Sequence, residues 1–302
     1  MRSKDYEKVS WREKLLIEIV NQSRTEHSSE VEIDLEFVVF SMDRALQLHG
    51  LLKSMKHYIR GDFSVQVLYR ASTDAHQKSY DEVISLLGGE GFIAWYREVS
   101  FRDDLIKILN AGSSKTLCFL VDDIVFIRPT DLGKLQWSRY SDGVLSLRLG
   151  RGINYCYTKG RAMNAPALNV MDGAADILKF EWADGEYDWV YPLSVDGHFF
   201  PRTEVMIAAE ALNYTAPNSF EKALQIMTPL YSQRSGYCFE KPKLLNIPLN
   251  RVQNENNNIS ADVSPEYLLE KWNEGLMFDF MKFADVSTNS VHQECEVAFS
   301  KR

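Results

Sequence analysis

Apolar positions along the chain follow two alternating rhythms. Short runs rich in β-branched and aromatic residues have the make-up of buried strands. They are Leu35-Glu36-Phe37-Val38-Val39-Phe40, Ser64-Val65-Gln66-Val67-Leu68-Tyr69 and Thr116-Leu117-Cys118-Phe119-Leu120-Val121. Between them lie stretches with a helical repeat. Leu48, Leu51, Leu52 and Met55 stand at i, i+3, i+4 and i+7, the stripe of an amphipathic helix. Residues 80–87 and 103–109 read as further helices, separated by the apolar run Gly91-Phe92-Ile93-Ala94-Trp95. A strand, a helix and a second strand within about 35 residues make a βαβ unit. Extended runs at 124–127 and 143–149 continue the pattern. Residues 31–160 are therefore expected to form an α/β half on a mainly parallel sheet.

The flanks read differently. In the polar segment 1–30, Trp11, Leu15 and Ile19 fall at helical spacing and predict a short helix followed by a linker. After about residue 160 the pattern is mixed. A helix is expected from Thr203 to Leu212, and another capped by Asn218 or Ser219 with Phe220, Leu224 and Met227 inward. Ser264-Pro265 opens a third, with Leu268, Leu269 and Trp272 as its stripe and Gly275 as its stop. Asn254-Glu255-Asn256-Asn257-Asn258 reads as a loop, and roughly the last dozen residues as frayed. The divisions expected are 1–30, 31–160, 161–250 and 251–302, with the last a loop and helical extension.

Composition narrows the function. At 302 residues, 45% hydrophobic and 25% charged, the chain is an ordinary globular protein. Forty-two acidic residues against 34 Lys and Arg give a net charge of −8, which argues against nucleic acid as a partner held by bulk charge. No run approaches the ~18 apolar residues of a membrane span, and no signal-type apolar core opens the chain. A cytoplasmic protein is expected. Cys118, Cys156, Cys238 and Cys295 are far apart, without a CxxC pair, and read as free thiols.

One carboxylate pair stands out. Asp122 and Asp123 sit between the apolar runs Phe119-Leu120-Val121 and Ile124-Val125-Phe126, where charge is costly unless compensated. The C-terminal end of a parallel strand is where open α/β folds place ligands. Carboxylate oxygens suit Mg²⁺ or Mn²⁺, which in turn bridge a diphosphate. The plainer reading is a turn between two strands. A second concentration is Tyr187-Asp188-Trp189-Val190-Tyr191-Pro192-Leu193-Ser194-Val195-Asp196-Gly197-His198. Pro and Gly make it a shaped loop, its aromatic faces suit sugar rings, and its carboxylates suit hydroxyls. The alternative is an aromatic-rich core loop. A third group, Ser146-Leu147-Arg148-Leu149-Gly150-Arg151-Gly152-Ile153-Asn154-Tyr155, has two Arg near two Gly that suit a diphosphate or an anionic acceptor. No complete GxGxxG or GxxxxGK[ST] pattern is present.

An apolar strand ending in a short acidic motif, some 80 residues after an N-terminal strand, resembles the GT-A fold of nucleotide-diphosphate-sugar glycosyltransferases. Val121-Asp122-Asp123 takes the place of their DxD motif, with Val121 departing at the first acidic position. The resemblance implies an α/β, Rossmann-like, mainly parallel sheet flanked by helices. Residues 31–160 would bind the nucleotide sugar and 161–250 the acceptor. Asp123 would hold the metal, and Asp122 would be a second ligand or touch the ribose. Phe40-Ser41-Met42-Asp43-Arg44 with Gln47-Leu48 resembles the turn where the nucleotide begins to bind, so Ser41, Asp43 and Arg44 become donor-site candidates. Arg70 and Ser72, after the next strand, would lie near the base or phosphates. Asp103 or Asp104 would accept a uracil imide proton, though capping a helix is the simpler role.

In the same reading Asp196 is the preferred catalytic base, with Asp188 second. His198 would be a metal or diphosphate ligand, Arg148 a diphosphate partner, and Asn250-Arg251-Val252-Gln253 a loop over the donor. The implied activity is metal-dependent, inverting transfer of a sugar, from a UDP-sugar in preference, to a hydroxyl acceptor such as a glycan of surface polysaccharide synthesis. Alternatives are a non-catalytic nucleotide-sugar or glycan-binding protein, a sugar-nucleotide pyrophosphorylase, or an unrelated α/β protein. Oligomeric state is not legible.

Overall fold

The computed structural model describes residues 10–24, 35–171, 173–249 and 263–302. The expected loops at 250–253 and 254–258 lie outside these residues. The first helix is α1 (Trp11–Ser23). The next elements are β1 (Leu35–Met42), α2 (Ala45–Tyr58), β2 (Phe63–Arg70), α3 (Asp74–Leu87), β3 (Ile93–Arg97), α4 (Phe101–Ala111) and β4 (Thr116–Val121). A short β5 (Ile124–Phe126) and β6 (Gly143–Ser146) follow. The later part contains β7 (Asn169–Met171), β8 (Ala174–Glu181), β9 (Phe199–Pro201), α5 (Arg202–Ala211), α6 (Pro217–Leu224), β10 (Ser235–Phe239) and β11 (Leu244–Asn246). Helix α7 (Pro265–Asn273) and a ribbon of β12 (Leu276–Phe278) and β13 (Phe299–Lys301) complete it.

The central sheet runs β9-β4-β1-β2-β3, parallel except for β9 at one edge. Successive side chains of a strand point to opposite faces, and here each face meets its own core. Leu35, Phe37 and Val39 of β1 join Cys118 and Leu120 of β4 under α2, α3 and α7. Val38 and Phe40 join Leu117 and Phe119 under α4, α5 and α6. Strands buried on both faces have no polar alternation, which is why 116–121 is apolar throughout. The mainly parallel α/β sheet flanked by helices is the architecture expected.

Several expectations change. Helix α1 forms as its spacing predicts, with Ser10 and Glu13 capping it reciprocally. Its buried face is Leu16, Ile17 and Val20, whereas Trp11, Leu15 and Ile19 are exposed. The segment past 160 holds a second sheet, β7-β8-β10-β6, that was not anticipated. It draws β6 from before residue 160 and the rest from after it, so the two halves interlock there. The chain after 290 is not frayed. Phe299–Lys301 pairs with Leu276–Phe278, and the Arg302 guanidinium lies 3.8 Å over the Trp272 ring. The described C-terminal extension is therefore one α-helix, a short 3-10 turn (Phe280–Phe283) and a ribbon, its last strand a Phe-Ser-Lys run too short and polar to read as a strand.

Candidate active site

The parallel register brings the C-terminal ends of β1, β2 and β4 level: Phe40 stands opposite Val121, and Met42 opposite Arg70. At this edge the backbone turns sharply. Asp43 adopts φ 56°, a left-handed conformation that Asp tolerates, and its Oδ1 accepts the Ser72 amide at 2.7 Å. Asp43 and Ser72 thus close the turn on each other; neither lines the cavity beside it.

Asp122 is buried and fully engaged. Its Oδ2 accepts the Ser41 hydroxyl at 2.7 Å and the Met42 amide at 3.2 Å, and its Oδ1 meets Arg44 Nη1 at 3.0 Å. Tyr80 completes the frame, bonding Ser41 at 2.7 Å and accepting the Arg44 amide at 3.1 Å. Asp123 is the more open of the pair. Its Oδ2 takes the same Arg44 nitrogen at 3.3 Å, and its Oδ1 accepts Asn246 Nδ2 at 3.0 Å. Burial, opposed by Arg44 and reinforced by the charges of Asp122 and Asp196, pushes the Asp123 carboxyl up to about 7. Burial also works against the Arg44 charge, yet the two carboxylates more than offset it and hold its pKa up.

The opposite wall is built around Arg148. This buried guanidinium donates to Ser194 Oγ at 2.7 Å, Asp188 Oδ1 at 3.1 Å and Asp196 Oδ2 at 3.3 Å. Burial would raise the Asp196 pKa, but His292 and Arg148 prevail and hold it below the usual carboxylate value. The Asp196 loop is fixed behind by Gly197, whose N–H donates to Phe119 O at 2.8 Å and whose carbonyl accepts Leu147 N–H at 2.8 Å. Gly197 has φ 85°, and a Cβ there would stand 2.6 Å from Leu244. Only glycine fits.

Between the two walls lies a cavity of about 680 Å³. Ser41, Arg44, Arg70, Asp122, Asp123, Arg148, Asp188 and Asp196 all line it. Sequence reasoning thus brought eight of its candidates to one place, from five separate segments. Other candidates fall elsewhere. Asp104 accepts the Val99 and Ser100 amides at 2.7 and 2.9 Å, and Asp103 accepts the Ser100 hydroxyl at 2.9 Å. Neither lines the cavity, and Glu98 does so instead, 3.6 Å from Arg70. His198 is also displaced from its expected role. Its ring is buried against Trp182 and Phe200, and its Nδ1 contacts Pro192 O at 2.9 Å. Burial and the Arg148 charge lower its pKa to about 3, and the ring does not line the cavity.

Among the lining residues that sequence reasoning missed are Glu98, Glu221, Asn246 and His292. The 289–293 segment delivers two of them together. Asn246 N–H donates to Val291 O at 3.3 Å and Gln293 N–H to Asn246 O at 3.0 Å, which brings His292 Nε2 to 3.7 Å from Asp196. A lone His in a polar tract gives no sequence signal. Asp188 Oδ2, Asn246 Oδ1 and His292 Nδ1 of the site are buried without a hydrogen-bond partner among the described residues. Buried polar atoms are rarely left so. The described residues hold no ready-made cluster of three acidic, His or Cys side chains around a metal position. Asp123 and the orphaned Asn246 oxygen are nevertheless hard oxygen donors. Mg²⁺-type ions commonly bind through one or two carboxylates plus substrate phosphates, and the donor set fits that pattern.

No family model matches the chain. The bifunctional glycosyltransferase pgtA of Dictyostelium discoideum is 27% identical over 179 residues, 53% of this chain, which spans only 23% of that protein. Among solved structures, S. aureus TarS 1-349 in complex with UDP overlays with a TM-score of 0.44 at 12% identity, over 68% of this chain and 60% of that one. Mannosyltransferase PcManGT from Pyrobaculum calidifontis, in complex with GDP-Man and Mn²⁺, gives a TM-score of 0.30 at 13% identity, over 47% and 44%. Overlays this loose carry no argument about mechanism. The sequence match to pgtA bears out the resemblance read from the residues: the chain is glycosyltransferase-like.

Proposed function

We infer that the chain transfers a sugar from a nucleotide-diphosphate sugar to a hydroxyl acceptor, with inversion at the transferred carbon. The observation that carries this is the pairing of two differently tuned carboxylates across one cavity. Asp196 is held ionised by Arg148 and His292, as a general base requires. Asp123 is pushed up by burial, with the charges of Asp122 and Asp196 adding to it, a setting that a bound cation would relieve.

In this reading the donor diphosphate lies at the β1–β4 end, near Arg44 and Arg70, with Glu98 beside Arg70. Mn²⁺ or Mg²⁺, when bound, neutralises charge on the departing diphosphate, and Asp123 with Asn246 would hold it. Asp196 accepts the proton of the acceptor hydroxyl as the new C–O bond forms. The bond to the diphosphate breaks, and a nucleoside diphosphate leaves. Arg148 stabilises Asp196 as a carboxylate and holds Asp188 beside it. Asp188 Oδ2, without a partner among the described residues, is free to accept a second acceptor hydroxyl. Tyr187 and Tyr191 on the same wall offer ring faces to a sugar. Asp122 acts as a brace for the Ser41–Arg44 turn rather than as a ligand, because Ser41, Met42 and Arg44 already engage both its oxygens.

Thermal unfolding with nucleoside diphosphates, with and without Mn²⁺, tests this. Ligand at about 100 times its Kd stabilises the folded state by about 2.7 kcal/mol. A shift with UDP that requires Mn²⁺ and disappears in Asp123→Ala is expected. The absence of a shift with every nucleoside diphosphate and divalent cation would overturn the reading.

A further inference from the structure

The 191–196 segment that carries Asp196 is irregular, so its shape depends on contacts from outside. One set comes from α6, a helix to which the sequence assigned only packing. Glu221 of α6 lines the cavity, and its Oε1 accepts the Val195 amide at 3.1 Å, one residue before Asp196. Tyr191 and Ser194 line the cavity beside it. Ser194 is also the residue to which Arg148 donates at 2.7 Å, and its Oγ accepts the Asp196 amide at 3.2 Å. Gln225, just beyond α6, adds a bond from its Nε2 to Leu193 O at 3.0 Å. Glu221 and Gln225 therefore tie the loop at two points, Val195 and Leu193.

We propose that Glu221 is a positioning residue: its carboxyl group clasps the Val195 amide to α6 and so fixes where the Asp196 carboxylate stands in the cavity. The clasp acts through Asp196 and rests on the reading of Asp196 as the base. It requires an acceptor oxygen at the right reach, not a negative charge. An amide oxygen serves equally well, whereas a side chain one methylene shorter withdraws the oxygen.

The test uses the full chain with Glu221→Ala, Glu221→Asp and Glu221→Gln and takes two readouts. Hydrogen exchange at the 191–197 amides needs no substrate. Loss of one hydrogen bond speeds local exchange about three- to tenfold. This acceleration is expected in the Ala and Asp variants and not in Gln. In transfer assays the Ala and Asp variants are expected to lose about tenfold or more in kcat, with donor KM within about twofold of the parent. Gln is expected to restore kcat. Unchanged exchange in both the Ala and Asp variants overturns the clasp. So does faster exchange accompanied by failure of Gln to restore kcat, which would assign the role to charge. If the parent chain transfers no sugar, the functional reading fails, and the exchange data alone decide the clasp.

Discussion

Arg44 and Asp122 meet at 3.0 Å beneath the turn that follows the first strand, both buried. Removing one partner of a buried ion pair strands the other charge and costs about 3–5 kcal/mol. Asp122→Ala is therefore expected to lose about that much in urea unfolding. Asp123→Ala is expected to lose about 1 kcal/mol, because Arg44 keeps Asp122 and only a partly open carboxylate is removed. Equal losses would contradict the division of the acidic pair into a brace and a ligand.

Arg148 sets the protonation of the base. With its guanidinium gone, Asp196 keeps its burial and loses a stabilising charge, so its pKa rises. In Arg148→Met the acid limb of the kcat–pH profile is expected to move to higher pH, since the carboxylate form is then reached later. An unmoved limb would mean that Asp196 is not the titrating base.

Much of this was legible beforehand for a plain physical reason. Residues such as Asp122, Asp123, Asp188 and Asp196 sit among apolar neighbours, and charge in that setting announces itself. The parallel core was legible because strands buried on both faces have lost their polar alternation. What was hidden lay in long-range placement. His292 and Asn246 reach the cavity through backbone bonds between 246 and 291–293, which no local pattern reveals. His198 looked like a ligand beside Asp196, yet it is buried with its ring against Trp182 and Phe200, in the core. Asp104 holds the two amides before α4, while Asp103 meets only the Ser100 hydroxyl.

Glu221 gives a pH signature in stability. Burial, joined by the Asp196 charge, pushes its carboxyl up to about 7 from the ordinary 4.5. A folded pKa above the unfolded one means the folded state binds the extra proton. The associated stability is present below pH 4.5 and is lost as pH rises through about 7. Glu221→Gln, neutral throughout, is expected to flatten that part of the curve. Urea midpoints between pH 4 and 8 would show it, and parallel curves for the two proteins would contradict it.

The ribbon at 276–301 is a structural element. Arg302 packs 3.8 Å over Trp272 and donates to its carbonyl at 2.6 Å. Deleting 299–302 removes that contact and the β12 pairing. The expected loss is about 2 kcal/mol, or roughly 3 °C in Tm. An unchanged Tm would show that the ribbon contributes nothing to the fold.

The most direct measurement is glycosyl transfer from a UDP-sugar by Asp196→Asn, with Mn²⁺-dependent UDP binding recorded on the same protein. Removal of a general base costs about 10²–10⁴ in rate. The predicted result is a kcat lowered by that factor with UDP binding intact. Transfer at the parent rate by Asp196→Asn would contradict the assignment of Asp196, and with it the mechanism proposed for this cavity.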